Sequence, residues 1–252
     1  MATLRWHNIT AGALAAPFKQ PLLFVKCAFW PILFHLAIFG SSRLDLAPNA
    51  APEPAGPLSP AQNMLLVLPG LIFQWNWMSA HWNETSQGIF KRMFTSAFCR
   101  FMLLFTLVGI ATDLALSAPG FVSTSLEKML DGSNPLIEFL FSILGLIAFV
   151  TLCCLLIRLT PWRAAVVARH QIVGPSLPIA LTKGHAWRIL LIRFLVGIGP
   201  SILFVVFALR PYAEHHQMSG IRLILFTLIC FYWLGADSVA CLRIYRSLVP
   251  EK

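Results

Sequence analysis

Six runs of mostly apolar residues, each near the length of a bilayer-spanning helix, limit the folds open to this chain more than any other feature. They lie near residues 21–40, 64–82, 98–117, 136–157, 187–208 and 221–242. About 20 such residues are needed to cross hydrocarbon, where backbone groups find no partner except each other. The runs are continuously apolar and do not alternate, so they predict helices and not the strands of a barrel. Composition agrees: 58% of the residues are hydrophobic and 12% charged, against roughly 45–50% and about 25% in soluble domains. The expected fold is an all-α, polytopic transmembrane helical bundle of about six spans, forming one integral membrane domain over residues 1–252.

The intervening segments read as loops. The stretch 41–63 holds Pro48, Pro52, Pro54, Pro57 and Pro60, which predicts an extended, solvated connection. Segments 118–135, with Gly120 and Gly132, and 210–220 are further connections. Kinks are expected at Pro31, Pro69-Gly70 and Gly199-Pro200. Trp75, Trp77 and Trp82 are expected as interface anchors of the short second run. Residues 27–39 could also serve as the apolar core of a signal peptide, with Ala-Pro-Asn-Ala at 47–50 as a cleavage site. The preceding region is long and the site lies well past the apolar run, so retention of the first span is expected.

Charge gives the orientation. Of the 19 Lys and Arg residues, fifteen fall on one side of the six-span register and four on the other. The basic side is predicted to be cytoplasmic, with both termini there. A net charge of +9 would suggest nucleic acid in a soluble protein. Here it is better explained by orientation and by anionic lipid, and no nucleic-acid partner is expected.

The segment RLTPWRAAVVARHQIVGPSLPIALTKGHAWR, residues 158–188, lies in a stretch, 139–213, without Asp or Glu. Thr160-Pro161 suits the start of a short helix to about Gln171, Gly174-Pro175 breaks it, and Ser176 can cap a second helix ending near Gly184. Both are expected in the interface, with arginines toward phosphates and Trp162 in the headgroup zone. Arg158, Arg163, Arg169, Lys183, Trp187 and Arg188 are the candidate lipid- or partner-binding residues. For the charges alone, a topology determinant that only holds orientation is preferred, and specific lipid or partner binding is the functional alternative.

Asp237 lies inside the sixth run, six residues, or about 9 Å of helix rise, from Arg243. A carboxylate at that depth needs a partner. Arg193, six residues into the fifth run, is the first candidate and Arg158 the second. A structural ion pair is preferred to a proton or substrate site, since one acid makes no relay. Gly235, Ala236 and Ala240 would permit close packing nearby. Asp113 and Glu138, near the outer ends of the third and fourth runs, are read as hydrated end-placed acids in preference to an outer vestibule.

No cofactor or metal is expected. The six cysteines show no C-x-x-C or zinc spacing. His35 has no second axial ligand in view for haem, so helix–helix hydrogen bonding is preferred. His215 and His216, beside Glu214, are read as incidental. Ser201 and Thr182 have no base arranged near them, and neither a nucleophile elbow nor a P-loop occurs. Nothing points to an enzyme.

The segments AHWNETSQGIFKRMF, RLTPWRAAVVA and SLPIALTKGHAWRILL resemble a family of bacterial inner-membrane proteins. That family is similar to the membrane domain found beside some glycerophosphodiester phosphodiesterases. There, an R-L-x-x-x-P-A segment precedes an A-x-x-L-T-x-G-x-x-W-R segment and the fifth span. Arg158 and Leu159 match the first; Ala180, Thr182, Gly184, Trp187 and Arg188 fit the second. Pro161-Trp162-Arg163 departs from the small apolar residues usual there, and Trp82-Asn83 stands where a Trp-His-Arg-like stretch is expected. The resemblance covers about the latter two-thirds of the chain. It implies a non-catalytic domain of the bacterial inner (plasma) membrane. The leading expectation is a scaffold or accessory subunit engaging anionic lipid or a membrane-protein partner. The alternative is a small transporter or lipid translocator using the Asp237/Arg193 pair.

Overall fold

Continuously apolar sequence can satisfy its backbone away from water by coiling on itself. In the computed structural model, the only regular elements among the described residues (4–43, 60–83, 95–106, 135–169, 173–204 and 220–249) are helices. In chain order these are α1 (Trp6–Lys19), α2 (Pro21–Arg43), α3 (Pro60–Asn83), α4 (Ser96–Thr106), α5 (Pro135–Leu159), α6 (Trp162–Arg169), α7 (Ser176–Leu181), α8 (Ala186–Phe204) and α9 (Gly220–Leu248). Helices α2, α3, α5, α8 and α9 fall on five of the six predicted runs. The third run is described only as far as Thr106. The remainder of that run, Asp113, His215, His216 and most of the Pro-rich stretch lie outside the described residues.

Among the described residues, three stretches are long and apolar enough to cross a membrane: Pro21–Ile38, Val150–Arg169 and Gly220–Leu248. The second of these runs through the Thr160-Pro161 turn that separates α5 from α6. This matches a membrane protein. Helices α2 and α3 continue through Pro31 and Pro69.

Helix α9 is the hub. It packs against α1, α2, α3, α6 and α8, and its buried residues include Gly235, Ala236, Ser238 and Ala240. Small side chains let neighbouring helices approach closely. At Gly235, an added Cβ would lie 3.1 Å from Phe24 Cε2 and 3.4 Å from Phe73 Cζ. Trp77 Nε1 donates to the Gly235 carbonyl at 3.0 Å. Phe24, Phe73 and Phe231 pack edge-on around this point, with ring centroids 5.3–5.4 Å apart. Trp75 and Trp77 are therefore core residues and not the expected interface anchors. Each buries its ring among other aromatics, and Trp77 finds its hydrogen bond inside the bundle. Trp82 is half-buried near the helix end, under the Arg246 guanidinium at 4.8 Å. Arg246 also donates to the carbonyls of His81 and Trp82, at 2.9 and 3.3 Å, satisfying the end of α3.

Helix α1 was not anticipated in the sequence analysis. It buries Ile9, Thr10, Ala13, Ala16 and Pro17 on one face and lies on α9 and α8. Tyr232 Oη donates to the Leu14 carbonyl at 2.9 Å, and Arg243 Nη1 to the Asn8 carbonyl at 3.3 Å. The Arg243 guanidinium occupies the space that a Cβ at Gly12 would need.

A second core joins α3, α4, α6 and α9 through Trp75, Met78, Phe101, Val167 and Leu242. Helix α6, expected on the interface, is docked into this core. Ala164, Ala165, Val166 and Val167 are all buried, which leaves it no apolar face for lipid.

Two glycine substitutions should separate rigid from yielding packing. Gly235→Ile meets three aromatic rings and should destabilise the protein by about 1–3 kcal/mol. Gly12→Ala meets only the end of a flexible arginine and should cost less than about 1 kcal/mol. Thermal unfolding in detergent checks both, and equal losses would contradict this packing.

Candidate functional site

Asp237 is buried on α9, with its side chain 7% exposed. A carboxylate removed from solvent is strongly unfavourable unless paired and hydrogen-bonded. Two arginines answer it. Arg163 on α6 donates from Nη2 to Asp237 Oδ2 at 2.8 Å, and Arg193 on α8 donates from Nη1 to Oδ1. Both carboxylate oxygens are thereby taken.

The surrounding groups complete a network. Arg163 Nη1 donates to Gln74 Oε1 on α3 at 3.0 Å. Cys241, one turn along α9 from Asp237, receives Arg163 Nη2 at 3.4 Å and Arg193 Nη1 at 3.7 Å on its sulfur. The Arg163 guanidinium carbon stands 5.2 Å from the centre of the Phe105 ring on α4, a cation–π distance. One acid thus gathers side chains from α3, α4, α6 and α8 onto α9. The count of charged groups is two positive and one negative.

Local sequence explains how Arg163 is aimed. Thr160 Oγ1 bonds back to the Leu156 carbonyl at 3.3 Å and does not cap α6. Helix α6 instead begins from the Pro161 carbonyl, which accepts from Ala165 N at 2.9 Å. Trp162 Nε1 donates to the Val173 carbonyl at 2.6 Å, pinning the helix to the chain that follows it. With its apolar residues against α3 and α9, α6 directs Arg163 inward. The headgroup role expected for Arg163 therefore gives way to an interior ion pair, because Asp237 and Gln74 offer acceptors there.

The structure brings together Asp237 and Arg193, which the sequence analysis paired. Arg158, the second candidate, is exposed and does not reach Asp237. Gln74 and Cys241 were missed, although each left a trace: Gln74 is an amide within an apolar run, and Cys241 stands four residues after Asp237. Phe105 left none. His35 contacts the Phe231 ring edge-on, with centroids 6.0 Å apart. Glu138 lies on α5, but its side chain is outside the description.

The other basic candidates form a separate surface. Thr182 Oγ1 donates to the Pro178 carbonyl at 2.8 Å and approaches the Arg158 carbonyl at 3.4 Å. The turn after α7 is closed by Gly184 at φ +81°, a left-handed conformation that suits glycine. His185 N then bonds to the Thr182 carbonyl at 3.0 Å as α8 begins. This turn sets Lys183, Trp187 and Arg188 beside the end of α5 with Arg158. All four are exposed, Trp187 to 74%. Among the described residues no carboxylate pairs with them. Arg169 is also exposed, and its Nε donates to Tyr245 Oη at 3.2 Å.

Comparison with protein-family models, with curated proteins and with solved structures gives no match.

Removing the acid should be more damaging than removing either base. Asp237→Asn leaves two partly buried guanidiniums without a counter-charge and should cost up to about 3–5 kcal/mol. Arg193→Gln leaves Asp237 on Arg163 and should cost less. Replacing all three residues by Leu or Met should recover much of the loss, because an apolar replacement of a buried ion network is often neutral. Thermal unfolding in detergent gives the ranking, and a harmless Asp237→Asn would contradict it.

Proposed function

We propose that this chain is a non-enzymatic, multi-pass protein of the bacterial inner membrane. It crosses six times, with both termini in the cytoplasm, and engages anionic lipid headgroups as a scaffold or accessory subunit. The carrying observation is the surface around the turn after α7. A 74%-exposed Trp187 stands beside exposed Arg158, Lys183 and Arg188, with no described carboxylate against them. An indole with adjacent cations fits the headgroup layer, where the ring takes the amphipathic zone and the cations take phosphates. Each cation near an anionic leaflet contributes about 1 kcal/mol. The resemblance to the membrane domain beside glycerophosphodiester phosphodiesterases, carried in part by Arg158, Thr182, Trp187 and Arg188, supports the non-enzymatic, inner-membrane part of this reading.

A transporter or lipid translocator built on Asp237 and Arg193 is the second reading. The observation in its favour is that Arg193 keeps 32% of its side chain exposed. Against it, Asp237 has both oxygens held by guanidiniums. A transport cycle would have to break two partly buried ion pairs on one buried carboxylate, so a fixed structural role is favoured.

Two measurements test the proposal. Native mass spectrometry of the full chain in detergent should show several phosphatidylglycerol molecules retained in preference to phosphatidylcholine. The variant Arg158→Glu/Lys183→Glu/Arg188→Glu should lose that preference by about tenfold or more; an unchanged preference would contradict the lipid-binding role. Alkaline phosphatase fused within 41–63 should be active, and green fluorescent protein at the C-terminus should fluoresce. Both positions reporting one compartment would contradict the topology.

A further inference from the structure

The clamp on Asp237 is unbalanced in charge and in hydrogen bonds. Two guanidiniums face one carboxylate, which leaves one positive charge over. Arg163 is well occupied: it serves Asp237, Gln74 and Cys241 and lies over Phe105. Arg193 commits only Nη1. No described residue accepts from its Nη2 or Nε. Its side chain is 32% exposed, against 14% for Arg163.

The open side has a structural cause. Gly197 follows Arg193 by one turn on the same face of α8. A helical side chain covers the turn that precedes it, so a larger residue at 197 would lie over Arg193. A Cβ there would meet nothing within 4 Å. Glycine thus leaves the space beside Arg193 on that face open. The Nε–Nη2 edge, for which no described residue is an acceptor, is a planar fork of N–H donors, which matches two oxygens of a phosphate.

We propose that this edge of Arg193 is a seat for one phosphate oxyanion, which neutralises the surplus charge of the clamp. The chemistry is that of a phosphodiester or a free phosphate. In the membrane the abundant source is a phospholipid headgroup. Arg193 is six residues, or about 9 Å, along α8 from Trp187, a span that the long arginine stem and a headgroup drawn inward can close together. The proposal rests on the membrane reading above but not on the surface patch, and it assigns Arg193 a ligand besides Asp237.

The test counts phosphatidylglycerol molecules held by the full chain in detergent, by native mass spectrometry. Wild type should hold one tightly bound molecule that Arg193→Gln holds about tenfold or more weakly. Gly197→Leu, which changes no charge and leaves the clamp intact, should show the same loss by covering the seat. Arg158→Glu/Lys183→Glu/Arg188→Glu should keep this molecule while losing those on the surface, so the two sites fail separately. In lipid-free detergent, inorganic phosphate raising the melting temperature of wild type but of neither seat variant would keep the seat and assign it to a soluble anion. If Arg193→Gln does not fold, Gly197→Leu decides alone. Wild-type lipid count and wild-type phosphate response in the folded seat variants would overturn the proposal.

Discussion

A buried carboxylate must be neutralised, and in this molecule that requirement shapes the arrangement of helices around α9. Asp237 offers two oxygens, and each is taken by a guanidinium from a different helix. Breaking such a pair by removing one partner leaves an uncompensated charge, which is far more costly than the pair itself is favourable. Its contribution is therefore best seen as specificity. Arrangements that fail to bring α6 and α8 to this point on α9 leave a bare charge in the interior.

The packing on either side follows from the same helix. Gly235, Ala236 and Ala240 thin α9 where Trp77 and Phe24 press against it. Toward α1 and α8 the contact runs through Ala13, Ile192 and Val196; toward α3, α4 and α6 it runs through Trp75, Phe101 and Val167. The ion network lies where these two cores adjoin and draws on helices from both. Dispersion and small-residue packing hold each core, and the charge network fixes how they meet.

Length and unbroken apolarity made the long helices legible in the sequence. Runs of about 20 apolar residues have one economical solution away from water. The depth of Asp237 likewise made its need for a cation legible, and Arg193 was reachable by counting turns. Three things were not legible. Helix α1 is rich in alanine and carries Gly12 and Pro17, so its apolar face is visible only once α9 is there to receive it. Arg163 has the same residue type and local setting as the exposed arginines; only the tertiary position of Asp237 and Gln74 separates it from them. Trp75 and Trp77 carry the aromatic signature of an interface, but their neighbours in the fold are other rings.

The two basic features serve different ends. Around Trp187 the cations face outward and have no described counter-ion, which suits a changing population of headgroups. At Asp237 the cations face inward and hold the framework. The interior clamp is the premise for the rest, and solid-state NMR in lipid bilayers tests it most directly, through carbon–nitrogen dipolar recoupling between labelled aspartate carboxyls and arginine guanidinium nitrogens. The structure predicts arginine nitrogens within about 4 Å of the Asp237 carboxyl, a contact whose signal disappears when Asp237 is replaced by asparagine. A spectrum in which replacing Asp237 removes no such contact would contradict the account.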